Sequence, residues 1–286
     1  MKAKLLFTFA LALAVMTVNA APKQPKTNGN KAIDKLKYTI SYSVKSVRDT
    51  LKVDSLGKYT YETDDMRLEV GEKVSYFYSQ TRKAYGEAVA LNIKLGTTNS
   101  SKLPSSNMEM LFYRNYPEGK TTYCEETLGD PFRIVEPLEI PTWEMVADST
   151  KRILDYDCQM ARCAFKGRVW TAWFAPDVPL DNGPWKLNGL PGLVLRAYDS
   201  RMQFVFDCVG MKQEDGTKDI CYDTSLDTYS SATMKEFVEY QAKAVPADIF
   251  ADEGVVIEVP EEMKAQLKAA MAKPLPYNPL ELFKKK

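Results

Sequence analysis

In LKYTISYSVK, residues 36–45, Leu36, Tyr38, Ile40, Tyr42 and Val44 alternate with Lys37, Thr39, Ser41, Ser43 and Lys45. Successive side chains of an extended chain point to opposite sides, so this stretch predicts a strand with one apolar and one wet face. The same rhythm returns at Met66, Leu68 and Val70, and again at Val74, Tyr76 and Tyr78, with Gly71-Glu72 as the turn between them. Met108, Met110 and Phe112 begin another strand, and Pro117-Glu118-Gly119-Lys120 turns the chain back into residues 121–125. An antiparallel meander is the expected result. A helix over residues 81–95, weakened by Gly86, and a polar loop over 96–107 interrupt it.

Further along, residues 158–165, a Lys166-Gly167 turn and residues 168–175 predict a hairpin. Strands are expected at 190–198 and 202–210. Helical spacing then takes over at 231–244 and at 261–272, where Pro260 precedes the second helix and Glu261 and Glu262 suit its first turn. The fold class is therefore mainly β (α+β), a curved antiparallel sheet or half-barrel with one or two C-terminal helices. One domain is expected over residues 35–275, preceded by a flexible lead-in at 21–34 and followed by a tail at 276–286.

The N-terminus reads as a targeting segment. Lys2 and Lys4 precede an apolar run at residues 5–15, and Val18-Asn19-Ala20 fits a small-residue cleavage site, so a signal peptide spans 1–20 and is cut after Ala20. No cysteine stands at the cut to carry a lipid. No later run of 18 apolar residues offers a transmembrane segment, and the mature chain is expected in the periplasm. The sequence carries 38 basic and 38 acidic residues; removing Lys2 and Lys4 leaves 36 against 38. A near-neutral chain whose basic residues concentrate only at 284–286 does not fit a nucleic-acid partner.

Export favours disulfides, and all five cysteines, Cys124, Cys158, Cys163, Cys208 and Cys221, fall in the mature chain. Cys208 and Cys221 flank the turn-like Glu214-Asp215-Gly216-Thr217, so a hairpin there would bring them together as a disulfide. Cys158 and Cys163 would lie on opposite faces of an extended strand, about 16 Å apart, and are read equally as small buried hydrophobes.

With no histidine in the chain, Ser-His-Asp and Cys-His catalysis and imidazole-ligated zinc are excluded. Phosphate-binding and dinucleotide-binding glycine motifs and the G-x-S-x-G elbow are absent, so no cofactor and no metal is expected. Carboxylate chemistry survives through Asp155, Asp157, Asp177 and Asp181, although acids on strands and turns are most often solvated. Met108 and Met110 share one strand face, which suits core packing more than soft-metal binding. Trp170, Trp173 and Trp185 lie near a glycine- and proline-rich stretch; they either form a recognition platform or plug the open end of the sheet.

That stretch, GPWKLNGLPGLVLRAYD at 183–199, is read as a rigid turn delivering Leu193, Leu195 and Ala197 to one strand face, with Trp185 over it as a lid and Gly192 at positive φ. Gly189-Leu190-Pro191-Gly192-Leu193-Val194 resembles the motif of the GLPGLI family, exported proteins of Bacteroidota. The resemblance runs from 149 to 199 through I-L-D-Y-D-C (153–158), F-K-G-R (165–168), T-A-W-F-A-P-D-V-P (171–179) and D-N-G-P-W-K-L (181–187), and Tyr277-Asn278-Pro279-Leu280-Glu281-Leu282 resembles the family's ending. It implies export and a β-rich fold; the role of the family is unknown. A likeness to the half-barrel of periplasmic lipoprotein carriers is architectural only.

The functional expectation is a non-enzymatic binding or envelope-assembly protein whose partner is an apolar or peptide-like ligand or an outer-membrane protein. Its candidate contact residues are Trp170, Trp173, Trp185, Leu190, Pro191 and Gly192. The alternative is a hydrolase using carboxylates or a Ser-Lys pair near residues 155–187.

Overall fold

The computed structural model describes residues 29–97, 108–127, 129–245, 247 and 261–283, with the side chains of 261–264 excepted. The expected signal peptide, most of the loop at 96–107 and the lysines at 284–286 lie outside these residues.

A first short strand, β1 (Asn30–Lys35), precedes two meanders. One runs through β2 (Tyr38–Ser46), β3 (Glu62–Val70), β4 (Ser75–Ser79), helix α1 (Gln80–Leu95), β5 (Leu111–Arg114), β6 (Lys120–Thr127) and β7 (Asp130–Pro137). The other runs through β8 (Glu144–Ile153), β9 (Tyr156–Phe165), β10 (Arg168–Ala175), β11 (Leu193–Asp199) and β12 (Phe204–Gln213). They fuse where β12 pairs antiparallel with β2, from Phe204↔Ser46 to Gln213↔Tyr38. After β13 (Asp219–Asp223) and a two-residue strand β14 (Ser230–Ser231) that pairs parallel with β7, helices α2 (Met234–Lys243) and α3 (Glu261–Met271) follow.

The result is one twelve-stranded sheet in the order β14-β7-β6-β5-β4-β3-β2-β12-β11-β10-β9-β8, open at both ends. The expected mainly β class with a large open sheet is what the chain adopts. No helix among the described residues is long and apolar enough to cross a membrane.

LKYTISYSVK sits at the centre of the sheet. Ile40, Tyr42 and Val44 are buried, while Ser41 and Ser43 face the other side. Leu36 departs from the expectation: the strand starts at Tyr38, and Leu36 packs with Val74 and Ile220 in a separate cluster under β1 and β13. The two-stranded β1–β13 sheet covers part of the outer face, beside a second cluster of Tyr113, Cys124, Tyr222 and Leu226. Strand structure therefore begins at Asn30, inside the stretch read as a flexible lead-in.

The main core lies on the inner face and joins residues from both meanders, among them Met66, Phe77, Trp170, Leu195 and Phe206. Phe77 on β4 and Phe206 on β12 are three strands apart, about 14 Å in a flat sheet, yet their ring centroids lie 6.4 Å from one another. Curling of the sheet, with the aromatic side chains leaning inward, closes that gap.

β13 also overturns the expected Cys208–Cys221 disulfide. The segments flanking Glu214-Asp215-Gly216-Thr217 do not pair with each other: β12 pairs with β2, and β13 with β1, where Cys221 stands opposite Ala32. All five cysteines are free thiols. Burial pushes the Cys208 thiol up to about 11 and that of Cys163 up to about 12, so both stay protonated at neutral pH.

Candidate functional site

The glycine- and proline-rich stretch after β10 folds inward. Trp185, at φ 54°, is buried; its ring lies 5.6 Å from Trp170 and 6.1 Å from Phe165. It is a plug facing the core rather than a lid over the turn. Leu193, Leu195 and Ala197 are buried as expected, and so is Val194 of the opposite parity. The loop itself supplies the cover, since Val178 and Asn182 carbonyls accept the Leu193 and Val194 N–H groups at 2.9 and 3.0 Å.

Gly192 does not take positive φ; within the stretch that conformation belongs to Trp185 and Gly189. It is needed for another reason, because a Cβ there would overlap the carbonyl of Ala175. Of the candidate contact residues, Trp170 and Leu190 are sealed in the core, Trp173 is half-buried and Pro191 is exposed. Trp185 alone of the six reaches the chamber described next.

Between the inner face, α2 and residues 275–281 lies a chamber of about 400 Å³. Met108 and Met110 ahead of β5, Tyr123 on β6 and Phe204 on β12 line the sheet side, and Met234, Phe237 and Val238 project from α2. α2 is held there by a capping box: Thr233 Oγ1 accepts the Glu236 N–H at 3.2 Å, and the Glu236 carboxylate accepts the Thr233 N–H at 2.8 Å. Phe237 then packs on Tyr123 and Phe132, with ring centroids at 5.7 and 5.4 Å. Wall residues on β12, α2 and the segment before β5 are far apart in sequence, which is why composition and spacing did not reveal them. The Met108/Met110 alternation was the one signal available, and it reports core and chamber wall alike.

A polar edge borders this apolar wall. Glu125 accepts hydrogen bonds from the Tyr123 hydroxyl and from Gln241 Nε2, the latter at 3.0 Å. Burial raises its pKa, with the two hydrogen bonds opposing. Glu109 pairs with Arg82, which also reaches Glu126 at 3.4 Å; burial raises the Glu109 pKa too, against the pull of Arg82. Arg48 and Glu62 form an ion pair at 3.0 Å on the other side.

The acids weighed for hydrolysis sit elsewhere. Asp155 and Asp157 are exposed and share Arg152, while Asp181 lies 3.6 Å from Arg114. Lys186 is paired with Glu136 and Glu281 at 2.9 and 2.5 Å, not with a serine. Among the described residues no group of three or more cysteines and carboxylates is placed to hold a metal ion.

Residues 276–286 were expected to be a tail, yet Glu281 is buried to 3% exposure, and 275–281 form one wall of the chamber. Arg168, itself buried, donates through Nη2 to Asn278 Oδ1 at 2.7 Å and to the Pro279 carbonyl at 2.5 Å, and through Nε to the Leu280 carbonyl at 3.0 Å. Its Nη1 is fixed by Asp199 and Gln203, both at 3.0 Å. Burial raises the pKa of Glu281, with Lys186 opposing.

These features define an open, curled β-sheet protein with an internal chamber. Residues 162–196 match the family described as "Protein of unknown function (Porph_ging)". The match lies inside the 149–199 stretch that carries the resemblance noted from sequence, and like it points to an uncharacterised family. No curated protein matches the chain in sequence. Two crystal forms of PNGF-II are similar at 13% identity and a TM-score of 0.45, over 76% of this chain and 34% and 33% of theirs. The chain spans about a third of the length of those structures, and so distant a likeness says nothing of what it does.

Proposed function

We propose that this chain is an exported, non-enzymatic binding protein that holds an apolar small molecule in the chamber between its sheet, α2 and residues 275–281. The observation that carries the reading is the chamber itself: about 400 Å³ of space walled by methionine and aromatic side chains. Small-molecule sites of this kind enclose roughly 300–1,000 Å³ and combine apolar walls with a few polar groups that fix orientation. Methionine walls adapt to ligands of varied shape. Glu125, Gln241, Thr127 and Ser46 are among the polar groups that line it. The three carboxylates on this side are occupied by Arg82, Tyr123 and Gln241, an arrangement that supports orientation of a ligand more than turnover. Export is inferred from the N-terminal sequence.

Titration with the neutral apolar fluorophore N-phenylnaphthylamine tests the proposal. Wild type gives saturable binding, and Val238→Trp, which fills the chamber from α2, abolishes it with the thermal midpoint unchanged. Absence of saturable binding to wild type, or equal binding by the filled variant, overturns it.

A further inference from the structure

The corner between β9 and β10, Phe165-Lys166-Gly167-Arg168, is not needed to line the chamber, yet its last three residues all engage residues 278–282. The Lys166 carbonyl accepts the Leu282 N–H at 2.9 Å. The Lys166 ammonium lies 2.6 Å from Glu139 and 3.9 Å from Glu281. Gly167 has φ 80°, and a Cβ on it would overlap the Leu282 carbonyl, so only glycine lets the two backbones meet. Arg168 takes Asn278, Pro279 and Leu280 as described above, Lys186 takes Glu281, and Asn278 Nδ2 donates to the Val47 carbonyl at 2.8 Å.

We infer that this corner and Lys186 form a peptide-binding groove that reads an Asn-Pro-x-Glu-x segment bent at its third and fourth residues, filled in cis by residues 278–282, and that the bound segment is a strap closing one wall of the chamber. The contacts divide as peptide recognition does. Backbone carbonyls 279 and 280 are bound whatever their side chains, and the side chains of Asn278 and Glu281 are each read by a cation. Pro279 fixes its own φ, which leaves the segment less conformational freedom to lose on binding. The five N–H donors of the planar Arg168 fork meet five acceptors, more than the three N–H groups of an ammonium could serve. The segment belongs to no strand of the sheet, so it is attached by this set of contacts and by Leu280, which packs on the main core. Tyr277 and Leu280, carried on the same segment, line the chamber, so releasing the strap opens the wall. The groove stands on its own geometry; the gating role rests on the chamber being the ligand site.

The test uses the intact chain with Asn278→Ala, Glu281→Gln and the double substitution, none of which replaces a sheet residue. Amide hydrogen exchange at Leu282 is expected to speed up about tenfold or more, the loss of a charge-assisted hydrogen bond, while the amides of Tyr42 and Leu195 keep wild-type protection. N-phenylnaphthylamine leaves the chamber faster by a similar factor. The synthetic peptide PYNPLELF binds the double variant and loses that binding when Arg168→Lys is added. Leu282 exchange that follows the core amides in every variant, or failure of the peptide to bind the strap-released protein, overturns the groove and its strap. If the fluorophore binds no variant and not wild type, the chamber reading and the gating fall, while exchange and peptide binding still decide the groove.

Discussion

At Gly192 the residue type follows from a close approach of two backbones rather than from a left-handed turn. The strand that Gly192 enters runs beside β10, and the Ala175 carbonyl occupies the place a Cβ would take. Gly192→Ala is therefore expected to destabilise the protein by about 1–3 kcal/mol, the usual cost of overpacking a filled core, measured by denaturant unfolding. A variant as stable as wild type contradicts this. Glu125 gives a second residue-scale prediction. Burial raises its pKa in the folded chain above that in the unfolded chain, so the folded state holds the proton more tightly. The stability this contributes is complete below the ordinary carboxylate range and is lost as pH rises through the raised value. Glu125→Gln removes that dependence, so its unfolding midpoint should gain on wild type as pH rises above the ordinary carboxylate range. A difference that is flat, or that runs the other way, would show that Glu125 is better solvated than its burial indicates.

At the scale of elements, those with a regular period were legible and those without one were not. β2, β3 and β4 alternate cleanly, and α1 begins and ends close to the expected 81–95, between the Ser79 cap and Gly96 in the left-handed conformation. β8 was missed because it is an edge strand exposed along most of its length, and a bulge between Val146 and Thr150 breaks its alternation. β7 was missed because Pro131 and Pro137 punctuate it and proline argues against strand structure except at edges. The Cys208–Cys221 expectation failed for a related reason. Local turn chemistry at 214–217 was read correctly, but sequence spacing could not show that the two arms enter different sheets. α2 carries the element-scale prediction. Its capping box satisfies two N-terminal N–H groups, and Thr233→Ala should lower stability by about 1 kcal/mol, read from the shift in unfolding midpoint. Because α2 forms the chamber wall, the same variant should bind the fluorophore more weakly; unchanged stability would show that packing alone holds the helix.

For the whole molecule, the open sheet was legible and the chamber was not. Its walls come from β6, β12, α2 and residues 275–281, segments brought together by the β2–β12 pairing that fuses the two meanders. Of the contact residues proposed from sequence, only Trp185 lines it, because the glycine- and proline-rich stretch turns its tryptophan into the core. The stretch matched to an uncharacterised family reaches the chamber mainly through what it grips, since Arg168 and Lys186 hold the strap that closes the wall. Methionine methyl resonances report on this arrangement directly, as Met108, Met110 and Met234 line the chamber whereas Met145 and Met202 are exposed elsewhere. In a methyl-labelled sample titrated with N-phenylnaphthylamine, the account predicts saturable shifts at Met108, Met110 and Met234 with Met145 and Met202 unmoved. Shifts confined to the exposed methionines, or no shift at the three chamber methyls while the fluorophore binds, would contradict it.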